Sequence, residues 1–195
     1  MEIYYTCFFR QKSGGHEHSR QLLNRVLRHY CGLPEAAEIL TERKGRHYVD
    51  KSYGLCFSVT HTGNLWYCCV SDHPVGIDAE FWTRQVTNPG KLAGRFLTAE
   101  EQKYFFAGND NEDQRNRLLY LWTRKEAYLK YTGEGLYGLS RAPSVVNAPG
   151  STWISSFNRD GVCVSVCAEK TDCLENPRWV CLDGNGAENE SGKQK

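Results

Sequence analysis

No stretch of this chain stays apolar for the roughly 20 residues needed to cross a bilayer. Mean hydropathy is −0.59, so no membrane partner is expected. The first residues, Met1 to Gln11, lack a basic segment followed by an apolar one, and no signal peptide is expected. No Walker A motif is present, and none of the nine cysteines forms a C-x-x-C pair. A zinc knuckle and a disulfide framework are therefore excluded. Most cysteines sit inside apolar runs, where they act as small hydrophobes, and a reducing cytoplasm is the expected location. Net charge is also missing: 24 Lys and Arg stand against 23 Asp and Glu. A general attraction to nucleic acid is not expected.

What the chain does contain is ordinary for a globular protein of 195 residues, with 40% hydrophobic and 24% charged residues. Ile3 to Phe9 is rich in aromatic and β-branched residues and predicts a strand. Ser19 can cap a helix running to about Cys31, with Leu22, Leu23, Val26, Leu27 and Tyr30 as its apolar stripe. A short helical turn is predicted over Glu35 to Leu40. Leu55, Phe57 and Val59 alternate with polar partners, predicting a strand with one buried face. Leu65 to Val70 is almost wholly apolar, which predicts a strand central or buried on both faces. Val75 to Glu80 is a further strand.

From Thr98 the character becomes helical. Thr98-Ala99-Glu100-Glu101 fits a capping box, and a long helix is predicted from about Glu112 to Tyr131, closing at Gly133. Thr152 to Phe157, Val162 to Cys167 and Trp179 to Leu182 predict β structure. A helix with strands therefore occurs twice, which predicts an α+β fold of two similar lobes. Residues 1–80 form the expected N-terminal lobe and 81–182 the C-terminal lobe. The polar stretch 183–195 is expected to be a disordered tail.

Three groups of residues can carry chemistry. Asp78 and Glu80 share one face of a strand, with Ile77 and Ala79 on the other. Two carboxylates so close repel, and a divalent cation between them resolves the repulsion. A pair of solvent-facing acids is the plain alternative. Trp122, Glu126 and Lys130 recur at four-residue spacing on one helix face. A carboxylate and an ammonium there could serve a metal and a phosphate, or form only a surface ion pair. Thr60, His61 and Thr62, at a strand end beside Gly63, offer donors that suit a phosphate. The G-x-G-x-x-G run at Gly133 to Gly138 follows a helix instead of a strand, so it lacks the context of a dinucleotide site.

Taken in order, Thr60-His61-Thr62-Gly63, Gly76-Ile77-Asp78-Ala79-Glu80, Arg95 to Glu101, Trp122 to Lys130 and Gly133-Glu134-Gly135-Leu136 resemble the 4′-phosphopantetheinyl transferase superfamily. The likeness is to the larger, pseudo-dimeric type that modifies peptidyl and acyl carrier proteins, and is most specific over residues 56–136. The resemblance implies a pseudo-dimer in which each lobe packs a helix on a small antiparallel sheet. It implies transfer of the 4′-phosphopantetheine arm of coenzyme A to a serine of an apo carrier protein, with release of 3′,5′-ADP. It further implies that Asp78, Glu80 and Glu126 hold Mg²⁺. Lys130 contacts coenzyme A phosphate, His61 lies near the 3′-phosphate beside Thr60, and Lys44 and Arg20 serve the nucleotide end.

Glu126 is the implied base, directly or through a metal-bound water. Lys125 is a candidate to stabilise the transition state or touch the carrier. Glu101 matches a family acid and is equally the N3 residue of the capping box. The basic segment that larger members place ahead of the first helix is largely missing, which leaves Arg10 or Arg25 to substitute. Two lobes in one chain imply a monomer. Two other readings use the same residues: a metal-dependent phosphodiesterase or nuclease, and a non-catalytic relative that binds coenzyme A or a carrier protein.

Overall fold

The computed structural model describes residues 1–7, 15–41, 47–170 and 176–183. It is a mixed α+β structure with two main sheets. Strands β1 (Glu2–Thr6), β4 (Cys56–Thr62), β5 (Leu65–Ser71) and β9 (Arg178–Cys181) form the first, in the order β4-β5-β1-β9. Strands β6 (Val75–Phe81), β7 (Thr152–Arg159) and β8 (Val162–Glu169) form the second, in the order β6-β8-β7. A small hairpin joins β2 (Leu40–Thr41) to β3 (His47–Tyr48). The helices are α1 (Gly15–Arg25), which runs on into a π-helical turn over Val26–Tyr30, α2 (Pro89–Phe96), α3 (Ala99–Phe106) and α4 (Asn111–Thr132).

Alternation along the strands builds three layers of core. Trp66, Cys68 and Val70 of β5 face Leu23, Val26 and Leu27 of the first helix. Tyr67 and Cys69, on the opposite face of the same strand, meet Ile77, Ala79, Val164 and Val166 of the second sheet. This explains the near-continuous apolar run: β5 is buried on both sides and flanked by β4 and β1. The outer face of the second sheet, through Ile154 and Cys167, packs against Phe96, Phe105, Leu118, Leu121 and Ala127 of α2–α4.

The helix ends follow the expected chemistry. Thr98 and Glu101 make both halves of the capping box. Asp110 caps α4 by accepting from Asp113 N, and Gly133 closes it in the left-handed region at φ 75°. Other expectations are corrected. Ser19 lies inside α1 and accepts a hydrogen bond from Trp66 Nε1 at 2.9 Å, so it is not the cap. The turn at Glu35 does not develop into a helix, and Leu40 enters the small hairpin instead. Helix α2 was not legible, because Gly90 and Gly94 weaken its pattern. Pro89 in its first turn supports it.

The boundary expected between residues 80 and 81 is crossed in both directions. Strand β6 belongs to the second sheet, with Ile77 opposite Val166 and Ala79 opposite Val164. Strand β9 returns to the first sheet and lies parallel to β1. Asp183, expected at the start of a loose tail, is held by Thr6 Oγ1 at 2.7 Å and by Cys7 N at 2.9 Å. The remainder of that tail lies outside the described residues.

Helix α4 crosses β6 at Gly76. A Cβ built there would stand 2.0 Å from Ala127 O and 2.6 Å from Tyr131 N. Backbone cannot yield to such an overlap, so only glycine permits this approach. Gly76→Ala is expected to cost at least about 1–3 kcal/mol as an overpacked contact. Urea unfolding measures it, and a midpoint unchanged from wild type would contradict the close crossing.

Candidate active site

The crossing at Gly76 brings one face of α4 over the polar face of β6. Asp78 and Glu80 are therefore not both solvent-facing. Asp78 is buried, while Ile77 and Ala79 point into the core between the sheets. Lys130 Nζ lies 2.8 Å from Asp78 Oδ1. It also donates to Ile77 O at 2.9 Å and Val59 O at 3.4 Å, tying together the neighbouring strands β4 and β6. Thr60 Oγ1 donates to the same Asp78 oxygen at 3.0 Å. Thr62 Oγ1 donates to Glu80 Oε2 at 3.0 Å, and Arg84 forms an ion pair with Glu80 Oε1.

Glu126 is one turn before Lys130 on α4 and differs from the other acids. Its Oε1 is buried and accepts no hydrogen bond. Burial, then the nearby Asp78 carboxylate, push its pKa up to about 7, against the pull of Lys130. A carboxyl tuned to neutrality is suited to take or give a proton.

Glu126 and Lys130 line a half-open cleft of about 390 Å³, together with Phe57, Ser58 and Val59 of β4, His47 of β3, and Gly133, Gly135, Leu136 and Tyr137 after α4. Leu136 and Tyr137 are exposed apolar side chains at this cleft. The G-x-G-x-x-G run thus shapes a wall of the cleft, with Gly135 at φ +62°. A second, shallower cleft of about 430 Å³ is lined by His61, Thr62, Gly63, Glu80, Phe81, Thr83 and Arg84. The His61 imidazole is held below its ordinary pKa, first by desolvation, with Lys130 adding to the effect.

Several expected site residues lie elsewhere. Lys125 does not face the cleft. Its side chain and that of Glu101 are both 0% exposed, with Nζ 3.1 Å from Glu101 Oε2. It also donates to Ala142 O and Pro143 O. One residue is about 100° around a helix, so Lys125 and Glu126 face different surroundings. Glu101 also accepts from Thr98 N at 2.7 Å and Val145 N at 2.9 Å. Both residues are committed to a buried joint between α3, α4 and the segment after it. Arg20 is exposed on α1 and lines neither cleft among the described residues. Arg25 donates to Leu182 O, which ties the first helix to the end of β9. Arg10 and Lys44 lie outside the described residues.

As the side chains stand, Asp78, Glu80 and Glu126 are not drawn together about one point. Among the described residues, no three His, Cys, Asp or Glu side chains are grouped closely enough to hold a metal. The physical reason is visible in their partners: Asp78 is turned to Lys130 and Thr60, Glu80 to Arg84 and Thr62. Arg84 was missed from the sequence, and its spacing of four residues from Glu80 was the available signal.

The fold and site together define a mixed α+β protein with a carboxylate–lysine centre under a crossing helix. The family model of the 4′-phosphopantetheinyl transferase superfamily matches residues 74–181, a span that includes this centre, and the chain belongs to that superfamily. It is 30% identical over 147 residues to 4′-phosphopantetheinyl transferase psf-1 of Bacillus pumilus, covering 73% of this chain and 60% of that protein. It is 33% identical over 122 residues to 4′-phosphopantetheinyl transferase HetI of Nostoc, covering 60% and 51%. It is 31% identical over 96 residues to 4′-phosphopantetheinyl transferase Sfp of Bacillus subtilis, covering 49% and 41%. The matched part thus spans about half the length of these relatives.

Two predictions follow from the acids. Removing one member of a buried ion pair strands its partner, so Glu101→Ala is expected to destabilise the fold by about 3–5 kcal/mol. Chemical denaturation reads this, and a loss of activity with full stability would instead make Glu101 a chemical participant. Glu126 binds its proton more tightly in the folded chain than in the unfolded one. Its contribution is therefore present below the ordinary carboxylate range and lost as pH rises through about 7. In metal-free buffer with chelator, Glu126→Gln should be more stable than wild type at pH 8 and nearly equal at pH 5. An equal difference at both pH values would count against the raised pKa.

Proposed function

We propose that this protein transfers the 4′-phosphopantetheine group of coenzyme A to a serine of an apo acyl or peptidyl carrier protein. The observation that carries this reading is the convergence of Asp78, Glu126 and Lys130 where α4 crosses β6, inside the stretch matched by the superfamily. The transfer breaks the bond between the coenzyme A pyrophosphate bridge and the phosphorus that keeps the pantetheine arm. The serine oxygen forms the new bond, and 3′,5′-ADP leaves with the electron pair. Little covalent work falls to the protein; alignment and charge neutralisation dominate.

Glu126 takes the serine proton at its carboxylate. Lys130 presents its ammonium to the phosphates from the cleft floor. Thr60 orients Asp78, and His61 serves the phosphate end from the neighbouring cleft. The donor set fits Mg²⁺, which takes one or two protein carboxylates and completes its shell with water and substrate phosphate. Asp78 and Glu126, with Glu80 once released from Arg84, would hold it, and the unpartnered Glu126 Oε1 is an oxygen in want of a donor or cation. When bound, the ion neutralises the pyrophosphate and stabilises charge on the leaving group.

The same reading keeps the chain a cytoplasmic monomer of two lobes, with no nucleic-acid or membrane partner. No described helix is long and apolar enough to cross a membrane.

Incubation with coenzyme A, Mg²⁺ and an apo carrier should add one phosphopantetheine to the carrier, read by mass spectrometry. Asp78→Ala and Glu126→Ala should each abolish the addition while thermal unfolding stays cooperative. Activity retained in both variants would overturn the assignment. Unmodified carrier together with intact coenzyme A binding would mark a non-catalytic relative, and cleavage of plasmid DNA with Mg²⁺ would mark a phosphodiesterase.

A further inference from the structure

Glu80 is the one acid of the three with its own guanidinium. Arg84 reaches back along the chain to Glu80 Oε1, while Thr62 holds Glu80 Oε2. Both carboxylate oxygens are thereby occupied. The Glu80 side chain is 14% exposed, whereas Arg84 is 51% exposed at the rim of the shallow cleft. The acid is shielded; its cation is half-exposed to solvent. A resident +1 charge at this place does two things. It removes Glu80 from the donor set, and it repels any second cation brought near Asp78 and Glu126.

We propose that Arg84 is an internal competitor for the metal: a tethered cation that holds Glu80 until a divalent ion displaces it. The inference rests on the proposed metal role of Asp78, Glu80 and Glu126, and adds a residue that sets how tightly they bind. It also gives the displaced guanidinium a use. Arg84 shares the shallow cleft with His61 and Thr62, so once released it stands beside groups able to receive an anion. Metal uptake and anion uptake are then coupled, because each removes the partner that opposes the other. Arg84 is a positioning residue in this account and does not touch the reacting atoms.

The test uses Mn²⁺ as the probe, followed by loss of the free hexaaqua signal in electron paramagnetic resonance, with no substrate present. Arg84→Gln should bind Mn²⁺ about three- to tenfold more tightly than wild type, the scale expected for releasing one partly screened charge. Arg84→Lys should fall between them. The gain must depend on Glu80: in a Glu80→Gln background, Arg84→Gln should add little. In metal-free buffer the melt of Arg84→Gln should stay cooperative but fall somewhat below wild type, because the shielded Glu80 carboxylate loses its cation. Equal Mn²⁺ affinity in wild type and Arg84→Gln would overturn this proposal alone. The same gain with and without Glu80 would also overturn it, by reducing it to a general field effect. Failure of both proteins to take up Mn²⁺ would overturn the metal assignment and this proposal with it.

Discussion

Everything chemical in this molecule depends on one close contact, the passage of α4 over β6 at Gly76. The side chain that glycine lacks would sit inside the helix backbone at Ala127 and Tyr131. With it absent, the helix descends until Glu126 and Lys130 reach the strand that carries Asp78. Asp78 is about fifty residues of chain away from Glu126 and Lys130, yet their relative position is set by backbone against backbone. Such a joint is stiffer than any side-chain contact, because neither partner has rotamers to give. The buried hydroxyls beneath it reinforce the register: Thr123 Oγ1 meets Ser165 Oγ at 2.8 Å, and Ser165 stands directly opposite Asp78.

The second organising constraint is charge. Two lysines in the same helix, five residues apart, end in opposite environments. Lys125 is wholly enclosed, its pKa pulled down by burial and raised again by Glu101. Lys130 stays at the cleft and spans two strands as well as Asp78. A buried pair such as Lys125–Glu101 adds little net stability over an apolar substitute, but it penalises any packing that separates its members. It therefore specifies how α3 meets α4, and so the rotation of α4 about its axis. That rotation is what directs Glu126 into the cleft. Lys125 itself is committed to that buried joint through Glu101, Ala142 O and Pro143 O.

Much of this was legible in the residue pattern. The alternation in β4, β5 and β8, the capping box at Thr98 and the length of α4 follow from local rules that the tertiary structure did not override. Spacing put Asp78 with Glu80 on one strand face and Glu126 with Lys130 on one helix face, but it did not show the ion pair between Asp78 and Lys130. What pattern could not show was which sheet a strand joins. Val75 to Glu80 has the same alternation whether it pairs with β4 or β8. Nor does spacing tell a surface lysine from a buried one: Lys125 sits among residues whose periodicity is blurred because α4 is covered on several faces. Helix α2 escaped notice for the opposite reason, since two glycines hid a short amphipathic element whose Ala93 and Phe96 are buried.

The site as folded is thus self-neutralising. Asp78 has Lys130, Glu80 has Arg84, and Glu126 answers its burial by holding a proton near neutral pH. An acidic cluster left without these answers would oppose folding, since like charges in a poorly solvated place repel strongly. The same answers must be undone before the acids can serve a cation. Under the proposed metal role, stability of the fold without metal and affinity for an ion would be set against each other by the same few side chains. The two internal cations differ in how readily they yield: Lys130 is anchored by two backbone carbonyls, Arg84 by its carboxylate alone among the described contacts. The easier exchange is at Glu80, and it is there that small sequence changes can retune the centre without disturbing the crossing that builds it.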